Sequence, residues 1–221
     1  MTAHLISVIG SSPGVGKSTL CGALARQYRD AGARVDHFEE ADILTRPAFA
    51  PVADEFAGGT GSVRPETLVE AVRTYVSQAR AEGVDVLVTD ALIPFVPSLV
   101  AWGHEEAAIS AVVRDLVTAV EPTPVTVVYL RDDPDVGLRR ALEREGPEWA
   151  DWYVGRLAGS PGTRSVTSLA AAAEHLRREA ELTLRLLAAT PWTVVAVDVA
   201  GRSAAEVEEC ARRGLAGPLG A

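Results

Sequence analysis

Apolar residues recur along this chain in two rhythms. Short, nearly continuous runs occur at 4–9, 84–90, 125–130 and 192–199, as expected of strands buried on both faces. The stretches between them carry apolar positions at helical spacing. A helix is predicted over 17–30, closed near Gly32, and the run from Ala33 to Phe38 reads as a further strand. Pro65 opens a helix with Leu68, Val69, Val72, Tyr75 and Val76 on one side, ending at Gly83. Helical spacing returns over 109–120 until Pro122 and Pro124, and again from Pro134, where Asp132 or Asp133 can cap. It reappears over 168–189, with Leu169, Leu176, Ala180, Leu184 and Leu187 inward. Ser203 and Glu206 form a capping box for a last helix that ends at Gly214. Residues 45–63, with Pro47, Pro51 and the glycines of 58–61 around Phe49 and Phe56, read as irregular, a binding loop or a disordered one. Five strands alternating with helices predict an α/β fold on a parallel sheet. There is no repeat, low-complexity tract or linker, so the reading is one domain over 1–221 with a helical lid near 134–158.

The first strand runs into V-I-G-S-S-P-G-V-G-K-S-T at Val8 to Thr19. A glycine-rich turn between strand and helix directs backbone N–H groups into one concavity, where a polyphosphate can sit. Lys17 reaches the β- and γ-phosphates in such an arrangement, and the Ser18 hydroxyl ligates Mg²⁺. The stretch resembles the Walker A loop of P-loop NTPases, with Ser11 where the pattern G-x-x-x-x-G-K-[ST] has its first glycine. Gly14, Val15, Gly16, Lys17, Ser18 and Thr19 form the phosphate-facing half. Lys17 is the single lysine of the chain; every other basic side chain is arginine. A compact ammonium between phosphate oxygens is a role that a planar guanidinium fills poorly.

Further candidate chemistry lies at strand ends, which face the ligand crevice in open α/β sheets. Glu39, Glu40 and Asp42 follow the second strand, and either acceptor chemistry or a solvated acidic turn fits them. Asp90 closes the third strand and resembles a Walker B acid, which holds the Mg²⁺ shell; a turn or cap is the alternative. Phe95, Trp102 and His104 after it wall a pocket or pack the core. After the fourth strand, Arg140 and Arg144 share a helical face, as Arg139 does with Glu143. Two guanidiniums there close over transferring phosphates, or belong to a surface helix laced with Arg–Glu pairs. Trp149, Trp152, Tyr153 and Arg156 follow at helical spacing as a lid or pocket face.

The element order, the loop and the arginine-bearing helix resemble the small P-loop kinases: deoxyribonucleoside and nucleoside monophosphate kinases, chloramphenicol phosphotransferase and gluconate kinase. The resemblance implies a three-layer P-loop NTPase fold, a five-stranded parallel sheet flanked by helices. It implies ATP and Mg²⁺ as cofactors and transfer of the γ-phosphate to a hydroxyl or phosphate of a small metabolite. It also assigns the acceptor-side acid to Glu39, Glu40 or Asp42 and the lid arginines to Arg140 and Arg144. Adenine would rest against the loop at 198–201, including Gly201. Nucleoside and nucleotide kinases usually follow the third-strand acid with arginine, whereas Ala91 stands here. The other reading is a regulatory P-loop ATPase driving a protein partner. A GTPase would need N-K-x-D, which a chain without asparagine lacks.

Composition narrows the partners. A net charge of −9 argues against nucleic acid. Cys21 and Cys210 have no metal or redox spacing and read as thiols in a reducing compartment, and the four histidines form no zinc pattern. No signal peptide precedes the first strand and no run is long enough for a membrane span, so a cytoplasmic protein acting on a small-molecule acceptor is expected. The oligomeric state, a homodimer included, is open. The Ala/Arg-rich composition points to a GC-rich bacterial genome.

Overall fold

The computed structural model describes residues 3–10, 12–59, 61–90 and 93–216. Strands β1 (His4–Gly10), β2 (Val35–Phe38), β3 (Val86–Thr89), β4 (Val125–Arg131) and β5 (Thr193–Asp198) form one parallel sheet in the order β2-β3-β1-β4-β5. β1 is central, with Ile6 opposite Val88 on one side and Thr126 on the other. Its side chains alternate between two apolar layers. Ile6 and Val8 face helices α1 (Lys17–Asp30) and α9 (Ala204–Ala216), among them Leu24 and Ala211. Leu5 points the other way, into the layer of α3 (Pro65–Ala81), α4 (Val96–Ala101) and α5 (Glu106–Val120), where Leu87, Val127 and Tyr129 join it. The result is a three-layer α/β fold. Because the chain passes from β3 across β1 to β4, the order in which strands are added reverses beside β1, and the crevice at such a switch is where ligands of open α/β sheets bind.

Two segments differ from the sequence reading. Much of 45–63 is helical rather than irregular. A 3-10 turn over Glu40–Leu44 and another over Pro47–Phe49 lead into α2 (Ala50–Gly58). The prolines that suggested a loop stand in the first turns of these helices, where their missing N–H costs nothing. Phe49 from this segment is fully buried against Phe38 and Tyr75, with ring centroids 5.0 and 6.0 Å away. The helical stretch after β4 is two helices, α6 (Pro134–Glu145) and α7 (Pro147–Gly159), broken at Gly146 with φ of 91°. α8 (Leu169–Ala188) then returns along the sheet. Its first half packs on α6 and α7 through Leu138, Ala172 and Leu176, with Trp149 and Tyr153 partly buried at the edge. Among the described residues, no helix is long and apolar enough to cross a membrane.

Candidate functional site

β1 delivers the chain into the glycine-rich loop at the switch point. Gly14 and Gly16 take φ of 77° and 99°, left-handed values that glycine adopts without strain. Gly16 is the N-cap of α1, so no side chain caps the helix and its first turn contains no acid. Among the described residues the helix therefore begins without a side-chain acceptor for its first N–H groups and with the positive end of its dipole, the physical basis of an anion site. Lys17 is half-buried at this start, while Ser18 and Thr19 are exposed. Ser11 lies outside the described residues.

Asp90 connects the loop to the rest of the crevice. Its carboxylate is buried and accepts from Ser18 Oγ at 2.6 Å through Oδ2 and from the Glu40 backbone N–H at 2.8 Å through Oδ1. Both oxygens of one acid are thus engaged between the start of α1 and the end of β2. Next to them Cys21 is buried, and desolvation, followed by the charge of Asp90, pushes its thiol up. It stays a thiol, inert. A hydroxyl and a carboxylate in contact beside an anion cradle are the hard oxygen donors that Mg²⁺ takes from a protein when phosphates complete its shell.

The three acids after β2 divide by role. The Asp42 carboxylate accepts from the Glu39 N–H at 2.9 Å, and the Glu39 side chain accepts from the Asp42 N–H, a reciprocal cap on the 3-10 turn. Asp42 also lies 3.8 Å from Arg46, and Glu39 lies 3.8 Å from His37. Asp42, read from sequence as a candidate for acceptor chemistry, is thereby occupied as a structural cap. Glu40 is exposed, and among the described residues its carboxylate has no recorded partner. Arg46 holds this turn to the sheet. It donates to Asp36 Oδ2 at 2.6 Å and to the His37 carbonyl at 2.8 Å, and its guanidinium lies over the rings of Phe38 and Tyr75. The hydrogen bond to Asp36 is the largest influence raising its already high pKa. Nothing in the sequence singles out Arg46, since its partners converge only in the fold.

On the other side of the loop, α6 leans directly against it. A Cβ on Gly137 would lie 2.1 Å from Ser12 Oγ, 3.0 Å from Ser12 Cβ and 3.1 Å from the Pro13 carbonyl; one on Gly14 would lie 3.0 Å from the Gly137 carbonyl. Asp133 caps α6 by accepting from Asp135 N–H at 2.9 Å. Arg140 donates to the buried Asp132 carboxylate at 2.7 Å, and Arg144 pairs with Glu145 at 2.7 Å. The two arginines share a helix face but are held by different acids, Arg140 toward β4 and Arg144 at the outer end. The 198–201 loop lies at the C-terminal end of β5. There Arg131 grips Asp198 with two bonds of 2.9 Å, and Gly201 turns with φ of 70°.

The aromatic candidates mostly belong to the core. Phe38, Phe49 and Phe95 are buried, and Trp102 packs on the same layer. Trp149 stacks on Tyr153 at 4.9 Å, whereas Trp152 is exposed, with Arg156 over its ring.

No family model matches this chain and no curated protein matches it. Among solved structures it is similar to the YorR protein from Bacillus subtilis in complex with phosphorylated GDP, at 15% identity and a TM-score of 0.53, covering 96% of this chain and 95% of that one. That likeness spans both chains almost end to end, and the architecture they share is the three-layer α/β fold with its five-stranded parallel sheet.

Proposed function

We propose that this chain is an ATP- and Mg²⁺-dependent phosphotransferase that moves the γ-phosphate to a small acceptor. The observation that carries the reading is Asp90, whose two oxygens join Ser18 of the phosphate-type loop to Glu40 at the end of β2. A nucleotide in the similar YorR structure supports a nucleotide as the ligand of the shared fold.

In this reading the loop amides and Lys17 hold the β- and γ-phosphates, and Ser18 with Asp90 holds Mg²⁺, which neutralises phosphate charge when bound. Glu40 is the acid that receives or orients the acceptor's proton: its backbone is fixed by Asp90 while its carboxylate is uncommitted. Glu39 and Asp42 support it through their reciprocal cap. Arg140, oriented by Asp132, stabilises charge on the transferred group, with Arg144 further out on the same helix. Phosphoryl transfer depends mainly on positioning and electrostatics, and these are the groups that supply both.

A coupled ATP-consumption screen against nucleosides, nucleotides, sugars and amino sugars tests the proposal. Acceptor-dependent turnover that Lys17→Ala lowers by about 10²-fold supports it. A flat panel with slow, acceptor-independent hydrolysis replaces it with a partner-driven ATPase.

A further inference from the structure

A second polar cluster lies beside the phosphate-type loop, and the reading above gives it no role. Tyr129 on β4 stands opposite Ile9, one residue before the loop begins at Gly10. It is 2% exposed, and its hydroxyl is buried without a hydrogen-bond partner. Leaving a hydroxyl unsatisfied in the interior costs about 1–3 kcal/mol, so an orphaned phenol at the ligand end of the sheet calls for a ligand. On α8, Ala180 packs into the apolar layer of Tyr129 and Leu176 into that of Tyr153; the same stretch carries Glu179 and His175, 3.5 Å apart and each with a side chain 10% exposed. Among the described residues, that imidazole is the one side chain recorded within ion-pair reach of the Glu179 carboxylate.

Glu179 adds to the burial that pushes the Tyr129 hydroxyl up to about 12, and it acts in the same direction on Tyr153, so both phenols lie within its field. Arg131 and Arg156 act more weakly in the opposite sense on Tyr129 and Tyr153 respectively. Tyr153 is stacked on Trp149, with ring planes 8° apart. The set is therefore a carboxylate on a side chain 10% exposed, with His175 at 3.5 Å and, among the described residues, no guanidinium paired to it, in the neighbourhood of two tyrosines. A carboxylate supplies charge and aromatic faces supply quadrupole attraction, and together they favour an organic ammonium over a neutral or anionic group. α7 packs beside this part of α8; it has no buried residue along its length and contributes the partly buried Trp149, Tyr153 and Leu157 to the layer around Leu176. Displacing α7 sacrifices little apolar burial.

We propose that Glu179, Tyr129 and Tyr153 bind the amine of a hydroxylated, cationic acceptor, placing its hydroxyl toward the phosphate-type loop. This rests on the phosphotransferase reading and narrows its acceptor class. It adds no chemical step: the acceptor oxygen bonds to the γ-phosphorus, the bond to the ADP oxygen breaks, and the hydroxyl proton passes to Glu40.

Binding to the full chain, followed by calorimetry, tests it with three pairs of probes: glucosamine and N-acetylglucosamine, ethanolamine and ethylene glycol, kanamycin and fully N-acetylated kanamycin. The expected result is that at least one amine binds about tenfold or more tightly than its neutral counterpart, and that the isosteric Glu179→Gln removes the difference. ATP affinity, measured separately, stays unchanged in that variant. The wild-type comparison stands even where a variant folds poorly. Neutral members binding as well as the amines, no amine binding in any pair, or amine preference surviving Glu179→Gln each overturns the proposal. Loss of ATP binding by the wild-type chain would instead overturn the phosphotransferase reading, whatever the amine result.

Discussion

Replacing Gly137 by alanine adds one methyl group between α6 and the glycine-rich loop. The added carbon would start 2.1 Å from Ser12 Oγ, and rotation of that hydroxyl relieves this first contact. It does not relieve the contacts of 3.0 Å to Ser12 Cβ and 3.1 Å to the Pro13 carbonyl, so loop and helix must separate by a few tenths of an ångström. Overpacking of this kind costs about 1–3 kcal/mol, with two tight contacts on the main-chain side favouring the upper part of that range. Alanine is also the better helix former by about 1 kcal/mol, which masks part of the loss. Gly155→Ala on α7 supplies the control, because a Cβ there meets nothing within 4 Å while the helix-forming gain is the same. The two variants are expected to differ by about 2–3 kcal/mol, roughly 4–12 °C in melting temperature for a chain of this size, with Gly137→Ala the lower. Calorimetric ATP titration should show several-fold weaker binding in Gly137→Ala alone. If the two variants melt together and bind ATP equally, α6 does not brace the loop and the reasoning fails.

Three other expectations follow from the same geometry. Asp90→Asn leaves an acceptor for the Glu40 N–H and turns an amide donor toward Ser18 Oγ, so two charge-assisted bonds become neutral ones; the loss is about 1 kcal/mol per bond by denaturant melts, and an unchanged midpoint would contradict the bridging role. Arg46→Lys should restore little of what Arg46→Ala loses, because an ammonium cannot serve both Asp36 and the His37 carbonyl while staying within reach of the Phe38 and Tyr75 rings; hydrogen exchange over 39–49 reads it, and full protection in the lysine variant would refute it. Tyr129, Tyr153 and Tyr75 are all held protonated above the ordinary phenol value by burial first. The unfolded chain therefore releases these protons near pH 10 while the folded one retains them, and stability present below about pH 10 falls as pH rises toward 12; Tyr129→Phe should shallow that slope, and an identical alkaline profile would count against it.

Local signals in the chain were strong where one element decides its own shape. The apolar runs of β1, β3 and β4, the helix starting at Lys17 and the Ser203–Glu206 cap are readable because neighbours in sequence are the partners that matter. Pro47 and Pro51 misled for a local reason as well, since a proline that opens a short helix looks like one that prevents it. Gly146 followed by Pro147 carried the break between α6 and α7, yet helical spacing on both sides hid it. Other features depend on long-range convergence. Arg46 acquires its meaning from Phe38 and Tyr75, Gly137 from Ser12, and Tyr129 from a helix fifty residues later. The spacing of Glu39, Glu40 and Asp42 put three acids into one turn, but which of them caps it was set by hydrogen bonds to Asp90 and within the turn.

The joint at Gly146 gives the two helices after β4 different mechanical duties. α6 is wedged against the loop and cannot travel without disturbing it, whereas α7 is attached by a glycine in a left-handed conformation and a thin apolar edge. A swing about that residue would carry Trp149 and Tyr153 outward and leave Arg140 where it is. On the proposed phosphotransferase reading, admitting the acceptor and holding the phosphates would fall to separate pieces of backbone, and stiffening the joint should slow acceptor entry without altering nucleotide affinity.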